Sequence, residues 1–298
     1  MNKLCYLFIG LMLVPPLPSF AESIRISGST SAQSAISILT DSFYKQHGVQ
    51  LVMRPIGSGK GLKSVVEGKS ELGALSRALT SEEREQFKGL KQITLAHDSL
   101  AILINAKNPV NNLSVTELSD IYTGNIDQWS EISTAENNDT ASNSLISVFS
   151  KASSHGTFNV FKQNLLLESF DKNNAIYFRK YGEEYSPKGA KTYRRVNGAV
   201  ASVCRNKNGI AFDSYASIKN SKLKNSCLNK VKVIDINQLS PTDQSYFFVR
   251  PINIIYNPNN MSDETQLFLK FIRQKEIQEE LKKNHYISFL EQENIPES

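Results

Sequence analysis

Residues 150–158 read SKASSHGTF and bring a lysine, a histidine and several hydroxyl side chains together in one short stretch. The stretch has three interpretations: a polar loop, a nucleophile with its general base, or an anion-binding loop. Ser154 beside His155 would supply the nucleophile and the base. Small hydroxyl residues in front of a helix would instead supply hydrogen-bond donors for an anion. The role of His155 separates these interpretations.

Two further loops share this chemistry. SGSTSAQ places Ser29, Thr30 and Ser31 between a predicted strand and a predicted helix, and IGSGKG places Ser58 among glycines. In each loop, small residues let backbone N–H groups approach a ligand, and the following helix directs partial positive charge at it. One such loop is weak support, because small polar residues are common N-caps. Three of them favour an oxyanion site beyond the carboxyl ends of the strands.

Nucleotide-binding and hydrolase motifs do not fit this chain. GSGKG lacks the P-loop spacing, since Gly61 and Leu62 follow Lys60. There is no G-x-S-x-G nucleophile elbow. A phosphoester hydrolase with His155 as its base is the enzymatic alternative, but we expect a binding protein with no catalytic residues and no cofactor.

Strands and helices alternate along the chain and position these loops. SIRISGS shows the apolar and polar alternation of a strand, and the segment after it has helical spacing. The pattern predicts an α/β protein with a mixed, mainly parallel sheet flanked by helices. The composition of the chain changes near Asn105, a β-rich run lies near Phe248, and one long helix is predicted over 263–283.

The first 21 residues are typical of a secretory signal peptide. Lys3 precedes an apolar run, from Leu4 to Val14, that is too short to span a bilayer. Small residues occupy the cleavage-type positions before Glu22. We expect cleavage after Ala21 and a periplasmic protein.

Two cysteines, Cys204 and Cys227, remain after this cleavage. An even number in an oxidising compartment favours a disulfide bond, with two separate buried thiols as the alternative. Neither cysteine has another ligand at suitable spacing, so no metal site is expected.

The charge of the chain is mildly positive. There are 34 basic and 29 acidic residues, giving a net charge of +5 that falls by one with Lys3. This excess fits an anion ligand or a neutral partner equally well. Without a basic stripe carrying interleaved aromatic residues, it argues against nucleic acid as a partner.

Four segments together resemble the periplasmic phosphate-binding proteins of ABC importers: ISGSTSAQ, RPIGSGKGLKSVVEGKSELGALSRALTSEE, LSDIYTGNIDQWSEI and SKASSHGTF. The resemblance implies a type II periplasmic-binding fold, with two α/β lobes joined by two hinge strands that close on the anion. It places lobe 1 at 22–104 and 248–298 and lobe 2 at 105–247. It implies a monomer that delivers phosphate to an importer permease. A secreted anion sensor or an adhesion or biofilm-type protein is the alternative.

The resemblance also implies a ligand-binding set drawn from both lobes. Ser29 and Arg77 are further candidates, and Arg77 either faces the cleft or forms an ion pair outside it. The implied set is Thr30, Ser31, Ser58 and Ser76 from lobe 1, and Lys151, His155, Gly156 and Thr157 from lobe 2.

The chain departs from the family pattern in SKASSHGTF. Lys151 stands for an arginine, Ser153 where an acidic residue can occur, Ser154 for a glycine and His155 for a serine. Lysine keeps the charge but loses the bidentate fork. With serine also at position 76, no carboxylate is expected to accept the proton of phosphate, so anion binding is better supported than phosphate specificity. His155 either donates from its ring or turns outward and leaves only its backbone to the ligand.

Overall fold

The computed structural model describes residues 22–132, 144–195, 197–221, 225–243 and 245–288. The predicted signal peptide at 1–21 lies outside these ranges. Within them, the strands are β1 (Ser23–Gly28), β2 (Gln50–Pro55), β3 (Leu72–Leu75), β4 (Lys91–Asn105), β5 (Asn112–Leu113), β6 (Ser147–Lys151), β7 (Leu167–Lys172), β8 (Ala175–Lys180), β9 (Ala190–Tyr193), β10 (Gly209–Ser214), β11 (Val231–Ile236) and β12 (Val249–Tyr256).

The α-helices of the described residues alternate with these strands in the first part of the chain, as the sequence pattern predicts. They are α1 (Thr30–His47), α2 (Ser58–Val66), α3 (Ser81–Gln86), α4 (Val115–Thr123), α5 (Gly156–Asn164), α6 (Gly198–Arg205), α7 (Tyr215–Lys219), α8 (Asn225–Leu228), α9 (Asp263–Phe271) and α10 (Lys275–Lys283).

The strands form one hydrogen-bonded path in the order β2-β1-β3-β12-β4-β10-β6-β9-β8-β7, with β11 and β5 branching from β4. The sheet is mixed. β1 pairs in parallel with β2 and β3, and β6 pairs in parallel with β9 and β10. More of the strand pairs are antiparallel than in the mainly parallel sheet that the sequence predicts. β12 and β4 pair antiparallel, and β7 and β8 form a hairpin.

Two long strands connect the two ends of this sheet. β4 pairs with β12 over Lys91–Ser99 and then changes partner to β10 from Leu100 onward. Because one strand belongs to both parts, a bend or twist near this exchange would move one part of the sheet relative to the other. β4 and β12 therefore fit the two predicted hinge strands.

The two largest clusters of buried apolar side chains lie on either side of the exchange. One cluster packs α1 and the C-terminal helices on β1 and β3, and it includes Leu95 of β4. The other includes Leu100 of β4 and an aromatic group in which Phe161 and Phe212 stack at 3.7 Å between ring centroids. Each side thus has its own core, as separately moving lobes require. The lobe boundaries at 104/105 and 247/248 stay a prediction.

The single C-terminal helix predicted over 263–283 is wrong. The chain breaks after α9, and Gln274 begins α10 from an extended backbone conformation. The buried side chain of Gln278 donates through Nε2 to the carbonyl oxygens of Ile272 and Leu95. These bonds satisfy a carbonyl group at the break and tie it to β4, which is a tertiary contact that helical spacing does not reveal.

The predicted disulfide is confirmed. Cys204 and Cys227 are bonded, with their Cα atoms 5.4 Å apart, and the bond links the last turn of α6 to α8. The alternative of two separate thiols is thereby excluded. Among the described helices, none combines the length and the apolar character needed to cross a bilayer.

Candidate functional site

The first loop lies where β1 ends and α1 begins. The Oγ of Ser29 caps α1 by accepting hydrogen bonds from the backbone N–H groups of Ser31 and Ala32. Thr30 and Ser31 occupy the first turn of α1, which contains no acidic residue to offset its dipole. Gly28 must be glycine, because a Cβ there would lie 1.9 Å from the carbonyl oxygen of Ala74. This close packing brings the loop against the end of β3.

The second loop and the end of β3 join the first. Ser58 begins α2 and accepts a hydrogen bond through Oγ from the backbone N–H of Ser76 at 3.3 Å. Ser29 donates through its Oγ to the Oγ of Ser76 at 2.9 Å. All three serines are buried. Ser29, Ser58 and Ser76 therefore form one hydroxyl cluster at the carboxyl ends of neighbouring strands.

The third loop, from β6 to α5, comes against this cluster from the other side. His155 is the residue before α5, and Gly156 and Thr157 form its first turn. A Cβ on Gly156 would lie 2.2 Å from the Oγ of Ser76 and 3.1 Å from that of Ser58. The helix thus approaches the serine cluster more closely than any side chain at position 156 would allow.

Hydroxyl contacts bridge the two sides of the site. Ser31 Oγ and Thr157 Oγ1 lie 3.0 Å apart, and both residues are buried. Thr30 Oγ1 lies 3.2 Å from Nδ1 of His155. The His155 ring is therefore directed at α1 rather than outward. Burial first, and the charge of Lys151 second, lower the pKa of His155 to about 4.

Lys151 is not a free cation, although the sequence suggested it as the charge for an anion. Its Nζ lies 2.9 Å from Oδ2 of Asp213, and both side chains are almost fully buried. Nζ also donates to the carbonyl oxygen of Arg195 at 3.4 Å and lies 5.3 Å from the centre of the Tyr193 ring. Its charge is balanced locally before any ligand is considered.

The expectation that the site holds no carboxylate is wrong. Asp213 lines one small space together with Thr30, Ser31, Lys151 and Ser217. Its other oxygen, Oδ1, accepts from the backbone N–H of Ser214. The sequence contains a signal for this carboxylate, because the charged Asp213 directly follows the apolar run GIAF and precedes the hydroxyl residue Ser214.

Arg250 is a second residue that sequence reasoning missed. It is 1% exposed, and through Nη1 it donates to Oγ1 of Thr157 at 2.5 Å. Its Nε and Nη2 donate to Oδ2 of Asp98, at 3.2 and 2.7 Å. Arg250 and Asp98 are register partners on β12 and β4. A charged residue inside the apolar run FFVRPINII was the available signal.

Asp98 holds this part of the site together. Its Oδ1 accepts from Oγ of Ser214 at 2.9 Å, so the carboxylate connects Arg250 to the strand that carries Asp213. Burial raises the pKa of Asp98, while Arg250 and Ser214 favour its ionised form. Two buried ion pairs, Arg250–Asp98 and Lys151–Asp213, thus lie on either side of Ser214.

Arg77 belongs to the ion-pair alternative. Its guanidinium donates to both carboxylate oxygens of Glu83, at 2.6 and 2.7 Å, and to the carbonyl oxygen of Ala78. Glu83 is also the capping-box residue of α3. This pair fixes the start of α3 and leaves Arg77 no part in the contacts between the two sides.

The arrangement has the donors and the positive charge to bind a small oxyanion. Helices α1, α2 and α5 begin around one point, with hydroxyl donors in their first turns and a buried guanidinium at Thr157. Within the described ranges, the His155 ring has a hydrogen bond to Thr30 and none to a carboxylate that would orient it as a base. Two lobes that meet at such a point define an anion-binding protein of the hinged, two-lobe class.

Comparison with known proteins places the chain in a family. Residues 17–276 match the profile of the PBP superfamily domain, and the chain belongs to this superfamily. It is 27% identical over 269 residues to the phosphate-binding protein PstS of Staphylococcus epidermidis, covering 85% of this chain and 75% of that protein.

Two solved structures give the same result for the fold. A Clostridium perfringens protein solved with bound phosphate superposes with a TM-score of 0.73 at 26% identity, covering 90% of this chain and 99% of that one. An ABC-type phosphate transport receptor from Vibrio cholerae superposes with a TM-score of 0.65 at 25% identity, covering 90% and 100%. The type II periplasmic-binding fold that the sequence resemblance implied is confirmed.

Proposed function

We propose that this chain binds inorganic phosphate between its two lobes and delivers it to the permease of an ABC importer. The observation that carries the proposal is the convergence of the first turns of α1, α2 and α5 on one point, with Arg250 against Thr157. The names of the relatives support phosphate as the anion, since they include a phosphate-binding protein and a phosphate transport receptor. The protein acts as a binding protein and not as an enzyme.

The charges of the site suit an anion held mainly by dipoles and hydroxyl groups. Both buried cations are already paired, Arg250 with Asp98 and Lys151 with Asp213. Each helix N-terminus contributes about half a positive charge, carried by N–H groups that have no partner within the helix. Ser31 and Thr157 would exchange their mutual bond for bonds to the ligand. Arg250 has N–H donors beyond those used on Asp98 and adds a fixed positive charge.

Asp213 supports phosphate over sulfate. Phosphate keeps at least one proton at neutral pH and can donate it to a carboxylate, whereas sulfate is fully ionised and would meet Asp213 as a like charge. The Asp213 oxygens already accept from Lys151 and from the backbone of Ser214, but each oxygen has a second acceptor site. The carboxylate that the sequence did not reveal therefore fills the role that Ser76 and Ser153 leave open.

Binding requires the lobes to separate and close again. The space lined by Thr30, Ser31, Lys151, Asp213 and Ser217 is too small for a water-sized sphere. An anion would enter only after the Ser31–Thr157 and Thr30–His155 contacts part. The partner exchange on β4 near Leu100 is the place where such a hinge motion would act.

The compartment and the partner complete the proposal. We propose that the chain is exported with a signal peptide cleaved after Ala21, works as a monomer in the periplasm, and docks in its closed form on the importer permease. The disulfide between Cys204 and Cys227 suits an oxidising compartment. Lobe 1 would comprise 22–104 and 248–298, and lobe 2 would comprise 105–247.

Calorimetry on the purified protein, refolded after removal of bound anions, tests the function. We expect saturable binding of phosphate with one site per chain, and much weaker binding of sulfate at the same pH. Stronger binding of sulfate than of phosphate would overturn the specificity. No binding of either anion by a folded protein would overturn the proposed function.

A further inference from the structure

His155 is the residue of the site whose side-chain type ordinarily titrates near neutral pH. It precedes α5, and its Nδ1 lies 3.2 Å from Oγ1 of Thr30 in the first turn of α1. The ring therefore spans the two sides that meet at the proposed phosphate site. No other histidine of the described ranges lies among the site residues.

The charges around the ring are mostly positive. Lys151 of β6, Arg250 of β12 and Arg194 after β9 oppose a positive ring, and Asp213 of β10 favours one. The first turn of α1, which packs against the ring through Thr30, carries no acidic side chain. Burial of the ring is the largest cause that lowers the pKa of His155, the positive surplus adds to it, and together they bring this pKa to about 4. At neutral pH the ring is neutral in the arrangement where Thr30 and His155 are in contact and no anion is bound.

We propose that His155 takes up one proton from solvent when phosphate binds, so that capture of the anion is coupled to protonation of Nδ1. The inference rests on the proposed function. A bound phosphate brings one or two negative charges beside the ring and reverses the surplus that opposes the imidazolium. The proton comes from water or buffer, stays on Nδ1, and leaves when the anion leaves.

The contact with Thr30 gives this protonation a structural consequence. A neutral Nδ1 without hydrogen accepts the Thr30 hydroxyl hydrogen, so that hydrogen is directed away from the ligand. A protonated Nδ1 donates to Oγ1 instead. The hydroxyl hydrogen of Thr30 is then free to turn towards the anion. Protonation would thus add both a positive charge and a hydrogen-bond donor to the site.

The sign of the pH dependence follows by linkage. The ring has a higher pKa in the complex than in the protein alone, so the complex holds more protons over the interval between the two values. Affinity is greatest at low pH and falls as pH rises from about 4 through the pKa of the complex. Within that interval the loss is about tenfold per pH unit for one coupled proton.

The test measures protons taken up on binding. Phosphate is titrated by calorimetry at fixed pH in buffers of different ionisation enthalpy, into the native protein and into His155→Ser, which has the residue that the family pattern places there. Phosphate itself changes its protonation on binding to either protein, so this contribution is common to both titrations. When phosphate binds between pH 5 and 7, we expect the native protein to take up more protons than His155→Ser. The difference should reach at most about one proton per chain. Equal uptake by the two proteins would overturn the inference.

A second measurement keeps the inference testable if His155→Ser folds poorly. The titration of the His155 ring in the native protein is followed by NMR with and without saturating inorganic phosphate. We expect the pKa to rise on addition of phosphate. Phosphate binding with an unchanged pKa would overturn the coupling and leave the proposed function standing. No phosphate binding by either folded protein would instead overturn the proposed function.

Discussion

Lys151 and Asp213 form a buried ion pair, with 2.9 Å between Nζ and Oδ2, at the point where β6 and β10 lie side by side. The pair places a carboxylate beside the hydroxyl groups and helix N-termini of the site. Breaking a buried pair from one side leaves an unpaired charge, which costs more than removing both partners. The stability and the anion preference of the protein are therefore linked through these two residues.

Asp213→Asn should destabilise the protein and weaken its discrimination against sulfate. Lys151 would be left buried and unpaired, at a cost of about 3–5 kcal/mol in the free energy of unfolding. The double variant Lys151→Met with Asp213→Asn should recover most of that stability but not the discrimination. Denaturant unfolding and paired titrations with phosphate and sulfate measure the two effects. A single variant that keeps the native preference for phosphate would contradict the role given to Asp213.

Arg250→Gln should weaken phosphate binding about ten- to a hundredfold, because a hydrogen bond to a charged group contributes about 1.5–3 kcal/mol. Arg250 donates to Thr157 from a fully buried position. Asp98→Asn is added to the same chain so that no unpaired carboxylate remains. Arg77→Gln is the matched control, since Arg77 pairs with Glu83 outside the site. Equal losses in affinity from the two arginine substitutions would count against a specific role for Arg250.

Gly156→Ala should prevent full closure of the lobes and reduce phosphate affinity more than tenfold. The added Cβ would lie 2.2 Å from Oγ of Ser76. Gly59→Ala in the first turn of α2 makes the same chemical change in open space, with no atom within 4 Å of the new Cβ. Calorimetry compares the affinities, and small-angle scattering compares the compaction on adding phosphate. A Gly156→Ala protein that binds and compacts like Gly59→Ala would refute closure at this contact.

His97 should make the protein less stable in acid. Burial lowers its pKa to about 4, and in the described part of the chain its Nδ1 has no hydrogen-bond partner. The unfolded chain binds the proton near pH 6.5, so the free energy of unfolding falls as pH drops from about 6.5 to about 4, by about 3 kcal/mol in all. Denaturant unfolding of the native protein and of His97→Gln should show a smaller pH dependence for the variant. Parallel curves would assign the acid sensitivity to other groups.

Much of the site could be predicted because its parts are local in sequence. Ser29, Thr30, Ser58 and Gly156 each stand where a strand ends and a helix begins, and N-capping and helix-dipole arguments apply to such positions directly. The convergence of Ser29, Thr30 and Ser58 follows from the parallel neighbours β1, β2 and β3, whose carboxyl ends lie at one edge of the sheet. Local chemistry and strand direction together were sufficient for these residues.

Three charged residues of the site, Asp98, Asp213 and Arg250, were missed because their partners are distant in the sequence. For the predicted Lys151, the pairing was missed. Asp98 pairs with Arg250, 152 residues away, and Lys151 pairs with Asp213, 62 residues away. Nothing in the spacing of such residues reveals a pairing that only the sheet order creates. A charge inside an apolar strand was the available sign, and three of these four residues show it.

The β7–β8 hairpin was missed for a different reason. Leu165, Leu166 and Leu167 continue the apolar composition of α5 and do not indicate that a strand begins at Leu167. The turn contains Asn173 and Asn174, both with positive φ, which is the signature of a two-residue hairpin turn. In this segment the asparagine pair was more informative than the apolar residues beside it.

The most direct test of a phosphate site between the lobes is a crystal structure of the protein grown with phosphate. We expect one phosphate at the first turns of α1, α2 and α5. Its oxygens should lie within hydrogen-bond distance of Ser31 and Thr157 and near the guanidinium of Arg250, with one oxygen facing Asp213. A phosphate bound only on the outer surface of either lobe, with Ser31 and Thr157 still bonded to each other, would contradict the proposed function.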